Sequence, residues 1–501
     1  MKLKYFMIAA MGLSLIACSD NLDDGQGANG NASQEGTTYV ALKLDFNNAS
    51  SRVGEQPIEG EDSPTATTGE SEINTVRIII LDDYNQVEVN QFFSEEEEIK
   101  SENEEYYFEV SPGMKHFYAF VNEGNSNGDL TSFVGNSEVA GGASNFYTPA
   151  SGSNAATNFA MSSTAVVSQE IKGGITKEAL PSSVDNHVSI AVERMLAKVT
   201  VKMADNFQVN GEKNFTLKNL SCKIGNADNL EYDGKYTSAG TYRMANNTGE
   251  NGARITPYYD YPSWGNSAPT GWSSDNLLSE ASTVYDGSPT QVVFYCLENT
   301  HAEYEYKISN TTFLRIEAAM IPKKVITFTV KNDEGVTIEP AASTTDVADV
   351  TDAKTFYRII KTPAGKESYY GNCIFEEVLN TYTAAGKSLS AIITAFKDAG
   401  YDFDEYTNGV GKYNLWVNDY IYNEGSTQSA GMAPVFRNDW YLYTINSIVL
   451  PGSPTGDGDG DEDTDPETEP EDPDQPIHPD TNIGVKLTIE PWNVVKHYVD
   501  L

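Results

Sequence analysis

The residue best suited to chemistry in this sequence is Cys18, because of what precedes it. A short basic head is followed by an almost unbroken apolar run over residues 5–16, and small Ala17 stands directly before the cysteine. This is the pattern of a secretory signal that ends in a lipoprotein cleavage site, where the thiol accepts a diacylglycerol. The run is too short to span ~30 Å of hydrocarbon as a helix. We therefore expect export and lipid attachment at Cys18, the alternative being an ordinary signal peptide with an incidental cysteine.

No other group of residues predicts catalysis or metal binding. The sequence has no phosphate loop, nucleophile elbow, zinc motif or dinucleotide fingerprint. Paired carboxylates are too common in so acidic a chain to indicate a glycosidase. An Asp-Gly repeat begins at Asp457, but Glu462 and Thr468 stand where a helix–loop–helix calcium site needs glycine and glutamate. We predict no enzyme activity, no catalytic residue, no cofactor and no metal site.

Composition limits the class of protein further. The chain has 501 residues and a net charge of −40, which argues against nucleic acid as a partner and against adsorption to anionic membranes. Beyond Cys18 only three cysteines remain, so a disulfide framework is not predicted. Aromatic residues at 11%, including 29 tyrosines, favour β structure. Only residues 387–398 predict a helix, and the length predicts two domains.

The first predicted strand is followed by a single basic residue in a linker. After a polar tether, Val40, Leu42 and Leu44 alternate with polar or small residues, as in a strand with one buried face. Arg52 follows this strand in a run of small residues and is the only lysine or arginine between Lys43 and Arg77. The alternative is an incidental surface arginine.

Three further patterns predict how the middle of the chain is arranged. Residues 76–81 predict a core strand, and residues 106–122 predict a hairpin around a Ser-Pro-Gly turn. In residues 188–203 the apolar positions change from even to odd at about Arg194. A bulge within one sheet would cause this shift, as would a strand that passes from one sandwich core to a second. We place a domain junction there.

The end of the chain consists of a spacer that is too polar to pack into a core, followed by predicted strands. Residues 452–480 are dominated by Asp, Glu, Pro and Gly and predict an extended, self-repelling spacer. Beyond it Val485, Leu487 and Ile489 alternate with smaller or polar residues, and Trp492 follows. These three residues have nearly the apolar pattern of the first strand, so either strand could occupy the same groove. The alternative is that both strands lie in their own subunit.

Taken with these features, several longer segments resemble one family. The chain is similar to the shaft pilins of the type V fimbriae, the fimbrillin family. The resemblance is carried by the site at Cys18, the acidic spacer, and residues 192–199, 297–301, 310–324, 435–441 and 490–501. Residues 225–290 show no match.

The resemblance implies an all-β fold with two tandem transthyretin-like β-sandwich domains and a C-terminal donor-strand extension. The expected regions are a signal peptide (1–18), a tether with a removable first strand (19–52), the two sandwiches (53–193 and 194–451), the spacer (452–480) and the donor strands (481–501). The donor strand would use Val485, Leu487, Ile489 and Trp492.

The resemblance also implies a route of assembly. The precursor would be a palmitate-bearing outer-membrane lipoprotein, and an Arg-specific, trypsin-like protease would cut between Arg52 and Val53. The subunits would then form a homo-polymer by strand exchange, with accessory tip and anchor subunits, in a cell-surface fimbrium that supports adhesion. One alternative is a tip or anchor subunit of the same fimbrium, and an anchor subunit would keep its lipid. Another is a non-polymerising surface lipoprotein that binds glycan.

Overall fold

The structure is a computed structural model with side chains. It describes residues 36–46, 69–95, 98–99, 104–122, 138–140, 148, 156–163, 166–209, 215–225, 241–243, 282–297, 312–332, 336–346, 350, 352–383, 388–418, 435–454 and 483–491. Cys18, Arg52, Val53 and Trp492 lie outside these residues, as does the Asp-Gly repeat of the spacer.

The described residues of the first part of the chain form nine strands. They are β1 (Thr38–Asp45), β2 (Val76–Asp82), β3 (Val87–Phe93), β4 (Tyr106–Val110), β5 (Gly113–Val121), β6 (Glu138–Ala140), β7 (Met161–Ser163), β8 (Val167–Ile171) and β9 (His187–Arg194).

The described residues from β10 onward form fourteen strands and two short α-helices. The strands are β10 (Leu196–Val209), β11 (Phe215–Gly225), β12 (Thr241–Arg243), β13 (Ser282–Tyr285), β14 (Val292–Leu297), β15 (Phe313–Pro322), β16 (Lys324–Asn332), β17 (Val336–Asp346), β18 (Phe356–Lys361), β19 (Cys373–Phe375), β20 (Asp402–Tyr406), β21 (Val410–Trp416), β22 (Asp439–Ile448) and β23 (Ile483–Pro491). The helices are α1 (Glu376–Thr383) and α2 (Leu389–Asp398). In the described part of the chain, neither is long and apolar enough to cross a membrane.

One large sheet contains most strands of the first part. Its strand order is β3-β2-β5-β7-β9-β1-β4, and β8 pairs with β5 beside it. Alternate residues of these strands form a first core that includes Leu42, Ile78, Phe117 and Ile190. Strand β1 lies inside the sheet with a neighbour on each edge: its first part, residues 38–42, pairs with β4, and its second part, residues 41–45, pairs with β9. The predicted core strand at residues 76–81 is confirmed as β2.

The chain passes to a second core directly after Arg194. Strand β9 belongs to the large sheet, whereas β10 belongs to a sheet with the order β14-β10-β22-β23. This sheet packs against another, β13-β11-β15-β21, and their facing side chains include Val199, Leu314 and Tyr443. Of the two explanations for the shift near Arg194, the structure shows the passage between cores.

A third layer is inserted between β15 and β21. A sheet with the order β17-β16-β19-β18-β20 places Phe356 and Tyr406 against the second core. Its other face is covered by the helices, with Ile392 and Phe396 in a separate small core. The predicted helix is confirmed as α2, which Ser388 caps by accepting from the backbone N–H of Ala391 at 3.2 Å. The all-β, sandwich-like fold is likewise confirmed.

The predicted hairpin over residues 106–122 is wrong. Both strands exist, but β4 pairs with β1 at one end of the large sheet, and β5 pairs with β2, β7 and β8. A tight turn with two alternating strands gives the same sequence pattern whether the strands pair or diverge. Helix α1 was not predicted either.

A buried charged cluster joins the two parts of the chain. Glu70 lies in a short turn of 3₁₀ helix and is 2% exposed. Its carboxylate accepts hydrogen bonds from Lys198 at 2.8 Å and from Tyr295 at 2.6 Å, and its carbonyl oxygen accepts from Arg194 at 2.9 Å. Burial lowers the pKa of Lys198, and the Glu70 carboxylate opposes that shift. The cluster thus ties the chain that precedes β2 to strands of the second core.

Candidate strand-exchange site

The first strand fills a groove in the large sheet. It pairs with β9 in parallel and with β4 antiparallel, so that Leu42 lies opposite Val188 on one side and Tyr106 on the other. Val40 and Leu42 are 0% exposed and Leu44 is 5% exposed. The alternation predicted from the sequence is therefore present. Ala41 departs from it, because this small residue of the opposite face is also 0% exposed.

A buried polar node holds the start of β1. The Thr38 hydroxyl donates to the carbonyl oxygen of Lys172 at 2.8 Å and accepts from the backbone N–H of Ile175 at 3.1 Å. The side-chain amide of Asn186 donates to the Thr38 hydroxyl at 3.3 Å and to the carbonyl oxygen of Tyr39 at 2.9 Å. Thr38 and Asn186 are 0% and 1% exposed. We name these residues the Thr38 node: Thr38, Lys172, Ile175 and Asn186.

Backbone conformation fixes the node. Asn186 has a φ of 62°, in the left-handed region that asparagine tolerates better than most residues. Its side-chain oxygen accepts from the backbone N–H of Lys172 at 2.8 Å, and its own carbonyl oxygen accepts from Ala41 at 2.9 Å. One asparagine therefore joins the turn before β9, the end of β8 and the first strand.

An ion pair crosses the outer side of β1. His187 on β9 and Glu105 before β4 lie 2.8 Å apart through Nδ1 and Oε1, and the other ring nitrogen is 3.0 Å from the carbonyl oxygen of Leu180. Since both ring nitrogens face acceptors, the protonated ring fits this site best. The hydrogen bond to Glu105 is the main cause that raises the pKa of His187.

The C-terminal strand β23 lies at the edge of the second core's sheet. Within the part of the chain that the structure describes, it pairs antiparallel with β22 alone, with Leu487 opposite Tyr443. Ile483 is buried, while Val485 and Leu487 are half-buried against the second core. Lys486 is exposed. The structure thus has both strands in their own subunit, and Ile489 pairs with Tyr441 through the backbone.

The three cysteine thiols of the described residues lie in the protein interior. Cys222, Cys296 and Cys373 are free and buried, and burial raises the pKa of each thiol to about 12. Such thiols are poor nucleophiles because the thiolate is the reactive form. Among the described residues, no group of three or more His, Cys, Asp or Glu side chains is placed to hold a metal ion.

The Thr38 node is not among the features predicted from the sequence. The hydrogen bonds of Thr38 within it join residues that are 134 to 148 positions apart, so no local pattern could have indicated them. The only signal was the asparagine of a Val-Asp-Asn turn just before β9, because asparagine favours left-handed turn positions.

Comparison with known proteins places the C-terminal region in a family. Residues 404–497 match the sequence model described as "Major fimbrial subunit protein type IV, Fimbrillin, C-terminal". Over these residues the chain is similar to the fimbrillin family. The match covers β20 to β23, including the strand proposed from the sequence as the donor. The resemblance stated from the sequence is thereby confirmed, and it supports a fimbrial subunit. No curated protein sequence matches the chain.

Several solved structures show a weaker likeness to this fimbrillin-like chain. The fimbrilin FimA from Porphyromonas gingivalis W83 has 14% identity and a TM-score of 0.42, with 92% of this chain and 98% of that chain covered. The C-terminally truncated tip fimbrial protein Mfa3 from Porphyromonas gingivalis has 14% identity and a TM-score of 0.37, with 91% and 100% covered. The fimbrial anchor protein Mfa2 from the same organism has 11% identity and a TM-score of 0.25, with 55% and 76% covered.

Proposed function

We propose that this protein is a structural subunit of the shaft of a surface fimbrium. It is exported as a lipoprotein acylated at Cys18, and an Arg-specific protease cuts it between Arg52 and Val53. Removal of β1 then opens a groove into which the C-terminal strand of a second copy inserts. The family match over residues 404–497 supports the fimbrial role, and no enzyme activity is part of the proposal.

The observation that carries the proposal is the position of β1. A strand inside a sheet, once cut away, leaves unpaired backbone groups on both neighbours and an empty row of apolar pockets. Unmade hydrogen bonds in a dry groove are costly, and each aliphatic side chain that refills a pocket contributes roughly 1.5–3 kcal/mol. A peripheral strand would leave no such groove. The loss of β1 therefore favours capture of another strand with the same apolar spacing.

The C-terminal strand supports the proposal because it can leave at moderate cost. Strand β23 has one neighbour, and its Val485 and Leu487 side chains are only half-buried. The acidic spacer before it has a composition that favours extension. Strand addition of this kind combines backbone pairing with pockets for alternate side chains.

Arginine specificity provides a sharp test. Arg52→Lys precursor should resist an Arg-specific protease yet be cut by trypsin, whereas Arg52→Ala should resist both at this site. On trypsin treatment Arg52→Lys should form ladders on gels like wild type, and Arg52→Ala should stay monomeric. N-terminal sequencing should give Val53 in every polymer. Polymer from uncut Arg52→Ala would contradict the proposal.

Material sheared from cells separates the shaft role from an anchor role. A shaft subunit should begin at Val53, because the acylated N-terminal segment has been removed. A chain that stays acylated at Cys18 and is not cut would be an anchor subunit instead.

A further inference from the structure

The Thr38 node makes a chemical demand on whatever strand replaces β1. Lys172, Ile175 and Asn186 belong to the framework, and only Thr38 belongs to the removable strand. Any strand can supply the carbonyl group that Tyr39 offers to Asn186. The hydroxyl, however, comes from a side chain. When β1 is removed, the Ile175 N–H and the buried Asn186 amide lose the hydroxyl acceptor that they share.

The C-terminal segment carries a hydroxyl at the corresponding position. When Thr481 takes the place of Thr38, the apolar residues of the two segments coincide in the same chain direction: Ile483 with Val40, Val485 with Leu42, Leu487 with Leu44 and Ile489 with Phe46. Lys486 also coincides with Lys43. Thr481 itself lies outside the described residues, and the correspondence with Thr38 uses only its residue type and its position in the sequence.

The opposite face of the strand selects the same register. Ala41 is 0% exposed, so its place accepts only a small side chain. In the register that matches the two threonines, this place is taken by Gly484. A slip of two residues in either direction would put Asn482 or Lys486 there, and burying an amide or an ammonium group without a partner is costly.

We propose that Thr481 is the register-determining residue of strand exchange, because its hydroxyl restores the Thr38 node of the next subunit and Gly484 fills the place of Ala41. The inference rests on the proposed function. It adds that Thr481 of the incoming strand lies at the Thr38 node of the groove and that Gly484 lies at the place of Ala41.

Disulfide trapping tests the register directly. Ser189 on β9 is exposed and lies opposite Lys43, so in the proposed register residue 486 of the incoming strand lies opposite residue 189. Neighbouring strands hold such pairs within the Cα separation that a disulfide needs. Cleaved Ser189→Cys protein should therefore link between subunits with Lys486→Cys. A slip by two residues would instead link Ser189→Cys with Gly484→Cys or Thr488→Cys, and faster linking by either would overturn the register.

Removal of the hydroxyl tests the role of Thr481. Thr481→Val keeps the shape of the side chain but cannot accept a hydrogen bond, and it should reduce the rate of assembly about tenfold. Thr481→Ser should restore most of it. Thr488→Val is the matched control, since in this register it lies at the place of half-exposed Asp45, and it should assemble like wild type. Equal assembly by Thr481→Val and wild type would overturn the inference.

Failure of the inference differs from failure of the proposed function. Polymer that is trapped at position 484 or 488, or that tolerates Thr481→Val, would mean that exchange occurs in another register. Cleaved wild-type protein that forms no polymer would overturn strand exchange itself, and the inference with it.

Discussion

Strands β1 and β23 have nearly the same apolar pattern and lie in opposite situations. Strand β1 has neighbours on both edges, completely buried aliphatic residues and a buried polar node at its start. Among the described residues strand β23 has one neighbour, and although Ile483 is buried, Val485 and Leu487 are only half-buried. The difference shows that strands of nearly the same sequence pattern can be buried to different depths, because the position of a strand in its sheet sets the number of its neighbours. In the proposed function, proteolysis releases β1, which is held on both edges, and β23, which is held on one edge, exchanges.

The largest expected effect tests this difference in the uncut precursor. Leu42→Asp places a carboxylate in a dry pocket and should lower the free energy of unfolding by about 4 kcal/mol or more. Leu487→Asp should cost only about 1–2 kcal/mol, because its site is half open to water. Lys43→Asp is a control on the same strand as Leu42. Urea denaturation measures all three, and equal losses for the two leucine variants would contradict the comparison.

Truncation after Asp480 should have a moderate effect on stability and a complete effect on assembly. Ile483 is 5% exposed in the second core, so removing β23 should cost about 2–4 kcal/mol while the rest stays folded. The cleaved, truncated protein should form no polymer. An unfolded product would show that β23 is intrinsic to its own sheet, and unchanged stability would show that it does not pack there in solution.

Within the donor strand the two faces should differ in assembly. Leu487→Asp should reduce polymer yield at least about tenfold, because the carboxylate enters a pocket of the groove. Lys486→Asp should change it little, since residue 486 lies on the exposed side. Gel laddering of the cleaved proteins measures both yields. Equal yields would mean that the face has been misassigned.

The sequence predicted the local parts of this arrangement and missed the long-range parts. Alternation identified β1 and β23, because a strand with one buried face repeats every two residues, and a nearly continuous apolar run identified β2. It could not show that β4 and β5 diverge, since pairing depends on the whole sheet. It also could not show that Ala41 is covered on the outer face, or that Asn186 meets Thr38 across 148 positions.

The smallest effect concerns the ion pair between His187 and Glu105, which crosses β1. The pKa of His187 is raised in the folded protein, chiefly by its hydrogen bond to Glu105. The stabilisation is therefore fully present below the unfolded value of about 6.5 and is lost as the pH rises through the higher folded value. The pair is partly exposed, so the precursor should lose less than about 1 kcal/mol over this range. Urea midpoints at roughly pH 5.5 and pH 8.5 measure the loss. His187→Gln should remove this part of the pH dependence, and so should Glu105→Gln.

After cleavage and polymerisation the same pair would cross the incoming strand, so the stability of the polymer should show the same pH dependence. A polymer whose pH dependence is insensitive to His187→Gln would show that the incoming strand does not take the path of β1.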